Sequence, residues 1–123
     1  MIGYQMVGTS DLEKSLAFYD EVIAIIGGKR AMPFPNGQGY GFAEGPMFAV
    51  TKPYDEQAAT AGNGTMTAFR VDSSHKVTAA HAKALELGGT CEGEPGPRGE
   101  WGDFAYFRDP DGNKIAVFCM KQG

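Results

Sequence analysis

Two glycine pairs, Gly27-Gly28 and Gly88-Gly89, stand 61 positions apart, and each closes a helical stretch. Glycine takes the left-handed conformation at a helix end without steric cost, so each pair marks a stop. What surrounds them is alike. Residues 2–7 read as a strand. A helix follows, opened by Ser10 with Glu13 at the capping-box spacing and carrying Leu12, Leu16, Tyr19, Val22, Ile23 and Ile26 on one face. Residues 29–32, 39–44 and 47–52 then read as strands, the last two as a hairpin around Gly45-Pro46. After a polar loop, 53–63, the order returns. Residues 65–71 alternate like a strand, and Asp72, Ser73 and Ser74 offer N-caps. Val77, Ala80, Ala84 and Leu85 form a second stripe. Residues 90–92 read as a short strand, 94–99 as a Pro/Gly-rich loop, and 103–108 and 113–120 as strands. Asp109-Pro110-Asp111-Gly112 joins that last pair, with Pro where φ is near −65° and Gly where φ is positive. Each half therefore reads strand, helix, strand, strand, strand. The pattern repeats although the residues do not.

That duplication fixes the expected architecture. The fold class is α+β, two βαβββ modules forming a curved mixed sheet around a cleft. Residues 1–123 are expected to be one domain, with module 1 at about 1–57 and module 2 at about 64–121. A small ligand would enter the cleft.

Composition narrows the partners. Eleven Lys and Arg against fifteen Asp and Glu give a net charge of −4, with no basic cluster to neutralise phosphates, so no nucleic-acid partner is expected. The longest apolar runs, 22–26 and 115–120, are far shorter than the ~20 residues that span a bilayer, and no signal peptide is visible. Cys91 and Cys119 follow no metal or redox spacing and read as free thiols of a cytoplasmic protein. The two histidines limit any imidazole site: His75 reads as a solvated first-turn residue and His81 as a structural histidine near the buried stripe. No Cys–His or Ser–His–Asp constellation is legible. Asp109, Asp111 and Glu44 read as turn residues. Lys52, Arg70, Arg108 and Lys114 lie near strand ends, where together they could receive an anionic group.

The run Thr9-Ser10-Asp11-Leu12-Glu13-Lys14-Ser15-Leu16-Ala17-Phe18-Tyr19 resembles the first-helix signature of the vicinal oxygen chelate superfamily, the glyoxalase, bleomycin-resistance and dioxygenase group. Phe107-Arg108-Asp109-Pro110-Asp111-Gly112-Asn113-Lys114-Ile115 is similar to that family's last hairpin. The resemblance covers nearly the whole chain. It implies a divalent ion held by four His, Gln or Glu side chains, one from each inner strand, which two vicinal substrate oxygens chelate. The matching positions here are Tyr4, Ala49 (to within about one residue), Met66 and Ala116. Three of these offer no good hard donor, and a phenol is ionised only near pH ~10. The expectation is therefore no metal and no cofactor. A dry pocket is expected instead, lined by Tyr4, Met6, Ala49, Met66, Trp101, Tyr106 and Ala116, with Trp101 as a lid or stacking surface. The resemblance implies a homodimer. The first functional reading is a metal-independent small-molecule binding protein. The alternatives are a lactoylglutathione-lyase-like lyase or dioxygenase-type enzyme, or a metal-free isomerase or transferase using Tyr4 or Tyr106 as an acid.

Overall fold

The computed structural model describes residues 1–121; Gln122 and Gly123, the end of the expected domain, lie outside the described residues. The chain runs β1 (Tyr4–Gly8), α1 (Leu12–Ile26), β2 (Lys29–Phe34), β3 (Gly37–Gly41), β4 (Met47–Thr51), β5 (Thr67–Arg70), α2 (Ser74–Glu86), β6 (Thr90–Arg98), β7 (Gly102–Arg108) and β8 (Lys114–Met120). The βαβββ order is thus present twice. The strands form two four-stranded sheets, β1-β4-β3-β2 and β5-β8-β7-β6. Each is mixed: the pairs β1/β4 and β5/β8 are parallel and the others antiparallel.

One core serves both sheets. Phe18, Tyr19, Val22 and Ile23 of α1 pack with Val77, Ala80 and Ala84 of α2, with Phe48 and Val50 of β4, and with Phe107, Ile115 and Val117 of β7 and β8. Tyr19 meets Phe48 at 5.0 Å, Phe48 meets Phe69 edge-on at 5.1 Å, and Phe18 meets Phe107 at 6.1 Å, so aromatic contacts cross from one module to the other. Burying each such ring stabilises by roughly 1.5–3 kcal/mol.

Several local expectations change. The α1 N-cap is Asp11, whose carboxylate accepts from Lys14 N–H at 3.1 Å. Ser10 is drawn off to other partners: its Oγ accepts from Ala59 N–H at 3.0 Å and its N–H donates to Asp111 at 2.9 Å. On α1 the buried face includes Ser15 and Phe18, while Leu12 and Leu16 are only partly buried. On α2 Ser73 is the cap, His81 joins the buried face and Leu85 is exposed. Residues 94–99 are not a loop, because β6 runs from Thr90 to Arg98. Its Pro95 and Pro97 are tolerated since β6 is the outer edge of its sheet, where a missing N–H breaks no inner ladder. Two breaks in register against β7 absorb the extra residues.

The Asp109–Gly112 turn does more than reverse the chain. Asp109 is buried and its carboxylate accepts from Tyr19 O–H at 2.6 Å, from the N–H groups of Asp111 and Asn113, and from Asn113 Nδ2. Asn113 Nδ2 also donates to Gly8 C=O at 2.9 Å. The turn of module 2 therefore holds the end of β1 and the start of α1 in module 1.

Candidate functional site

In a strand successive side chains face opposite ways, so the core residues identify the other, open face by alternation. Phe48 and Val50 lie in the core, which places Met47, Ala49 and Thr51 on the open face of β4, and the β1 register puts Tyr4, Met6 and Gly8 beside them. In module 2, Phe69, Ile115 and Val117 lie in the core, which leaves Met66, Ala68, Arg70, Ala116 and Phe118 on the open face. Phe104 and Tyr106 pair with Phe118 and Ala116.

The structure thus sets six of the seven expected pocket residues on the open faces. Met6 lies beside Ala49, and Tyr106 beside Ala116. Tyr4 and Met66 are about half exposed, whereas Ala49 and Ala116 are fully buried. Trp101 is the seventh. It sits in the turn between β6 and β7, 70 % exposed, its carbonyl accepting from Lys121 N–H.

These positions decide the fit of the ion that the resemblance implies. Two carry only a methyl group, one a soft thioether and one a phenol. That set does not hold a hard divalent ion.

The larger opening lies at the seam between the modules. A cavity of about 720 Å³ is bordered by β1, β4 and the β3–β4 connection on one side and by β5 and the start of α2 on the other. The partly exposed Phe42 supplies aromatic surface, the edges of the otherwise buried Phe48 and Phe69 reach the wall, Met47 and Met66 add thioethers, and Gln5, Glu44, Arg70 and Lys76 polar groups. A smaller cavity of about 150 Å³ lies further along the seam, bordered by Met6, Met66, Asn113 and Lys114. Of the expected pocket residues Met66 borders both cavities and Met6 the smaller. Tyr4, Ala49, Trp101, Tyr106 and Ala116 border neither. Phe48 lies within the one-residue margin given for Ala49, whereas Phe42 and Phe69 carry no pocket signal because their spacing reads equally well as core.

Charge at the seam is uneven. Lys76 is paired with Asp72 at 3.1 Å, while Arg70 has no ion pair or side-chain hydrogen bond among the described residues. Of the other strand-end cations, Arg108 binds Glu92 and the Gly112 carbonyl, and Lys114 lies 5.5 Å from the Tyr106 ring centre, as does Arg98 at 5.6 Å. Burial pushes Tyr19 well above the usual phenol range and raises Asp109 against its donors. Hydrogen bonding from Arg30 holds Asp20 below the usual carboxylate range, and burial raises Tyr40, which donates to Asp20. These groups are tied into structural bonds. Asp109 and Asp111 act as the turn residues the sequence suggested.

One association was not legible. His81 Nε2 on α2 lies 3.3 Å from Cys91 Sγ on β6, and Cys91 Sγ lies 3.5 Å from Glu94 Oε1. The expectation of no Cys–His pair is corrected: helix packing and the β6 irregularity join residues whose spacing carries no signal. His75, on the first turn of α2, is exposed as expected.

A duplicated βαβββ α+β chain, with open sheet faces and a seam between its copies, defines the architectural class. The family model described as the Glyoxalase/Bleomycin resistance protein/Dioxygenase superfamily matches residues 1–117, and the chain belongs to that superfamily. A crystal structure of a glyoxalase/bleomycin resistance protein from Albidiferax ferrireducens T118 is 37 % identical, with TM-score 0.90 over 98 % of this chain and 99 % of that one. A glyoxalase-related enzyme from Fulvimarina pelagi shares the fold at 21 % identity, TM-score 0.77, over 97 % and 87 % of the two chains. Lactoylglutathione lyase from Agrobacterium tumefaciens does so at 18 % identity, TM-score 0.69, over 97 % and 92 %. No curated protein matches the chain. No described helix is long and apolar enough to cross a membrane.

Proposed function

We propose that this protein binds a small apolar or flat anionic molecule at the module seam without a metal ion. The observation that carries the reading is the cavity of about 720 Å³, with the Phe42 ring and the Met47 and Met66 thioethers on its wall and Arg70 free of any ion pair among the described residues. Its volume is that of a drug-sized site, and its few polar groups suit orientation more than chemistry. The open faces support the same reading. Met6 and Ala49 in module 1 and Ala116 and Tyr106 in module 2 form an apolar surface without a carboxylate or imidazole at the four inner-strand positions. On this reading residues 1–123 act as one domain, modules 1–57 and 64–121 contributing one wall each. The chain works in the cytoplasm as a homodimer, which would cover the exposed Tyr4, Met6, Met32 and Met66.

The test uses a matched pair of fluorophores, anionic 1-anilinonaphthalene-8-sulfonate and neutral N-phenyl-1-naphthylamine. Both should bind with EDTA present. Arg70→Ala should weaken the anion about tenfold, equivalent to ~1.4 kcal/mol, and leave the neutral probe unchanged. Binding abolished by EDTA, or an equal loss for both probes, would overturn the reading. The alternative is the lyase activity of the Agrobacterium tumefaciens neighbour, or a dioxygenase. A lactoylglutathione lyase assay with added Zn²⁺ or Ni²⁺ should show no turnover. Met66→His alone should not create it, because Ala49 and Ala116 still lack donor atoms.

A further inference from the structure

We infer that His81, Cys91 and Glu94 form a zinc site at the outer edge of module 2, separate from the seam. Three ligand atoms of three different kinds, an imidazole nitrogen, a thiol sulfur and a carboxylate oxygen, lie within 4.8 Å of one another. Nitrogen, sulfur and oxygen of these types are the donors that Zn²⁺ takes, at about 2.0–2.3 Å. At a tetrahedral centre such bonds put neighbouring ligand atoms roughly 3.5 Å apart. The distances are 3.3 Å from His81 Nε2 to Cys91 Sγ and 3.5 Å from Cys91 Sγ to Glu94 Oε1. Two edges of the tetrahedron are therefore already in place.

The backbone is shaped to bring these side chains together. Residues three apart on a regular strand point to opposite faces, so Cys91 and Glu94 should not meet. Cys91 pairs with Phe107, a core residue, and so faces α2. The register of β6 then breaks between Cys91 and Gly93 and again between Gly93 and Gly96. The first break inserts one extra residue, so Gly93 shares the face of Tyr106 and Glu94 alternates back to the Cys91 side; bulges commonly re-aim a side chain in this way. The third group arrives from α2. His81 is only 4 % exposed, so packing fixes its ring, while Cys91 and Glu94 are exposed and leave an approach for the ion. Three protein ligands leave a fourth position for water. Zn²⁺ takes the sulfur as a thiolate, the thiol proton passing to solvent on binding. The ion would clip the edge strand β6 to α2.

The site is tested on the untagged full chain with Zn²⁺, and with Co²⁺ as a spectroscopic substitute. One ion per chain should bind, Co²⁺ should show a thiolate-to-metal charge-transfer band, and Zn²⁺ should raise the melting temperature. Cys91→Ser should weaken binding at least a hundredfold and abolish the band, Glu94→Gln should weaken it about tenfold, and Cys119→Ser should change neither. Cys91 and Glu94 are exposed, so neither variant threatens folding. Naphthyl-probe binding at the seam should be the same in Cys91→Ser and the parent, which separates this site from the proposed function. Absence of the charge-transfer band, or Zn²⁺ affinity unchanged in Cys91→Ser, would overturn the inference.

Discussion

Modules 1 and 2 share one topology, yet their open faces are built from opposite materials. Beside Ala49 in module 1 stands Gly39, and beside Thr51 stands Gly37. Beside Ala116 in module 2 stands Tyr106, and beside Phe118 stands Phe104. Phe104 stacks on Phe118 at 5.1 Å and 11°, and on Tyr106 at 6.3 Å and 17°. The third strand of module 1 thus presents bare backbone where the third strand of module 2 presents a row of rings. Sharing the fold does not require sharing the surface: the core faces hold the modules together and leave the open faces free to differ. Crowding explains the glycines. A Cβ on Gly37 would meet Thr51 Cβ at 2.7 Å and run into the Val50 carbonyl, and one on Gly39 would sit 3.0 Å from the Met32 carbonyl.

The largest test of the contrast is Gly37→Ala. Overpacking against backbone should cost on the order of 3 kcal/mol, read as a lower urea midpoint at unchanged slope. A change under about 0.5 kcal/mol would show that the strand has room and that its glycines are incidental.

Tyr19→Phe tests what joins the modules. It removes a buried bond to Asp109 and should cost roughly 2 kcal/mol at neutral pH. That bond lowers the Asp109 pKa while burial raises it. Without it the folded pKa climbs further above the unfolded value. A raised carboxyl contributes stability below the unfolded pKa of about 3.9 and loses it as pH rises through the folded one. The variant's penalty should therefore be smaller at pH 4 than at pH 7; equal penalties in paired denaturation curves would refute the assignment.

Phe104→Ala removes half-buried stacking and should cost about 1.5 kcal/mol. Phe34→Ala, whose described aromatic contact is a tilted one with Tyr4 at 6.4 Å, should cost less. Equal losses would erase the difference between the faces.

The smallest effect is expected at the Asp20–Arg30 pair of module 1, whose side chains are 39 % and 50 % exposed. Arg30→Ala should cost about 0.5 kcal/mol, and less in high salt. Because Arg30 depresses the Asp20 pKa, this contribution is present above the ordinary carboxylate range and fades as acid titrates through the lower folded value.

Much of this was legible from the chain. The helices, the repeat and the last hairpin follow from periodicity and from Gly and Pro at φ-demanding positions: Gly27 ends α1 at φ 115° and Gly112 turns the hairpin at φ 92°. The errors arose where distant partners decide. Ser10 matches a cap locally but is claimed by Ala59 and Asp111. Pro95 and Pro97 look like a loop until β6 is known to be an edge strand. The open-face residues Tyr4, Ala49, Met66 and Ala116 could be placed through the resemblance, by their spacing from the first-helix and last-hairpin motifs. The seam cavity could not, since its walls come from two modules and Phe42 and Phe69 resemble core in sequence. Nor could His81–Cys91–Glu94, which depends on a bulge.

The turn at Asp109 has a consequence for the order in which the molecule is made. Gly8 and Ser10 bond to Asn113 and Asp111, partners 105 and 101 positions further along the chain. Synthesis proceeds at about 5–20 residues per second, so the first strand and helix wait roughly 5–20 s on the ribosome for the groups that complete them. Until then the early half presents Tyr19 without its carboxylate and an open aromatic face at Phe18 and Phe48. During that interval it depends on nascent-chain handling more than its finished form does.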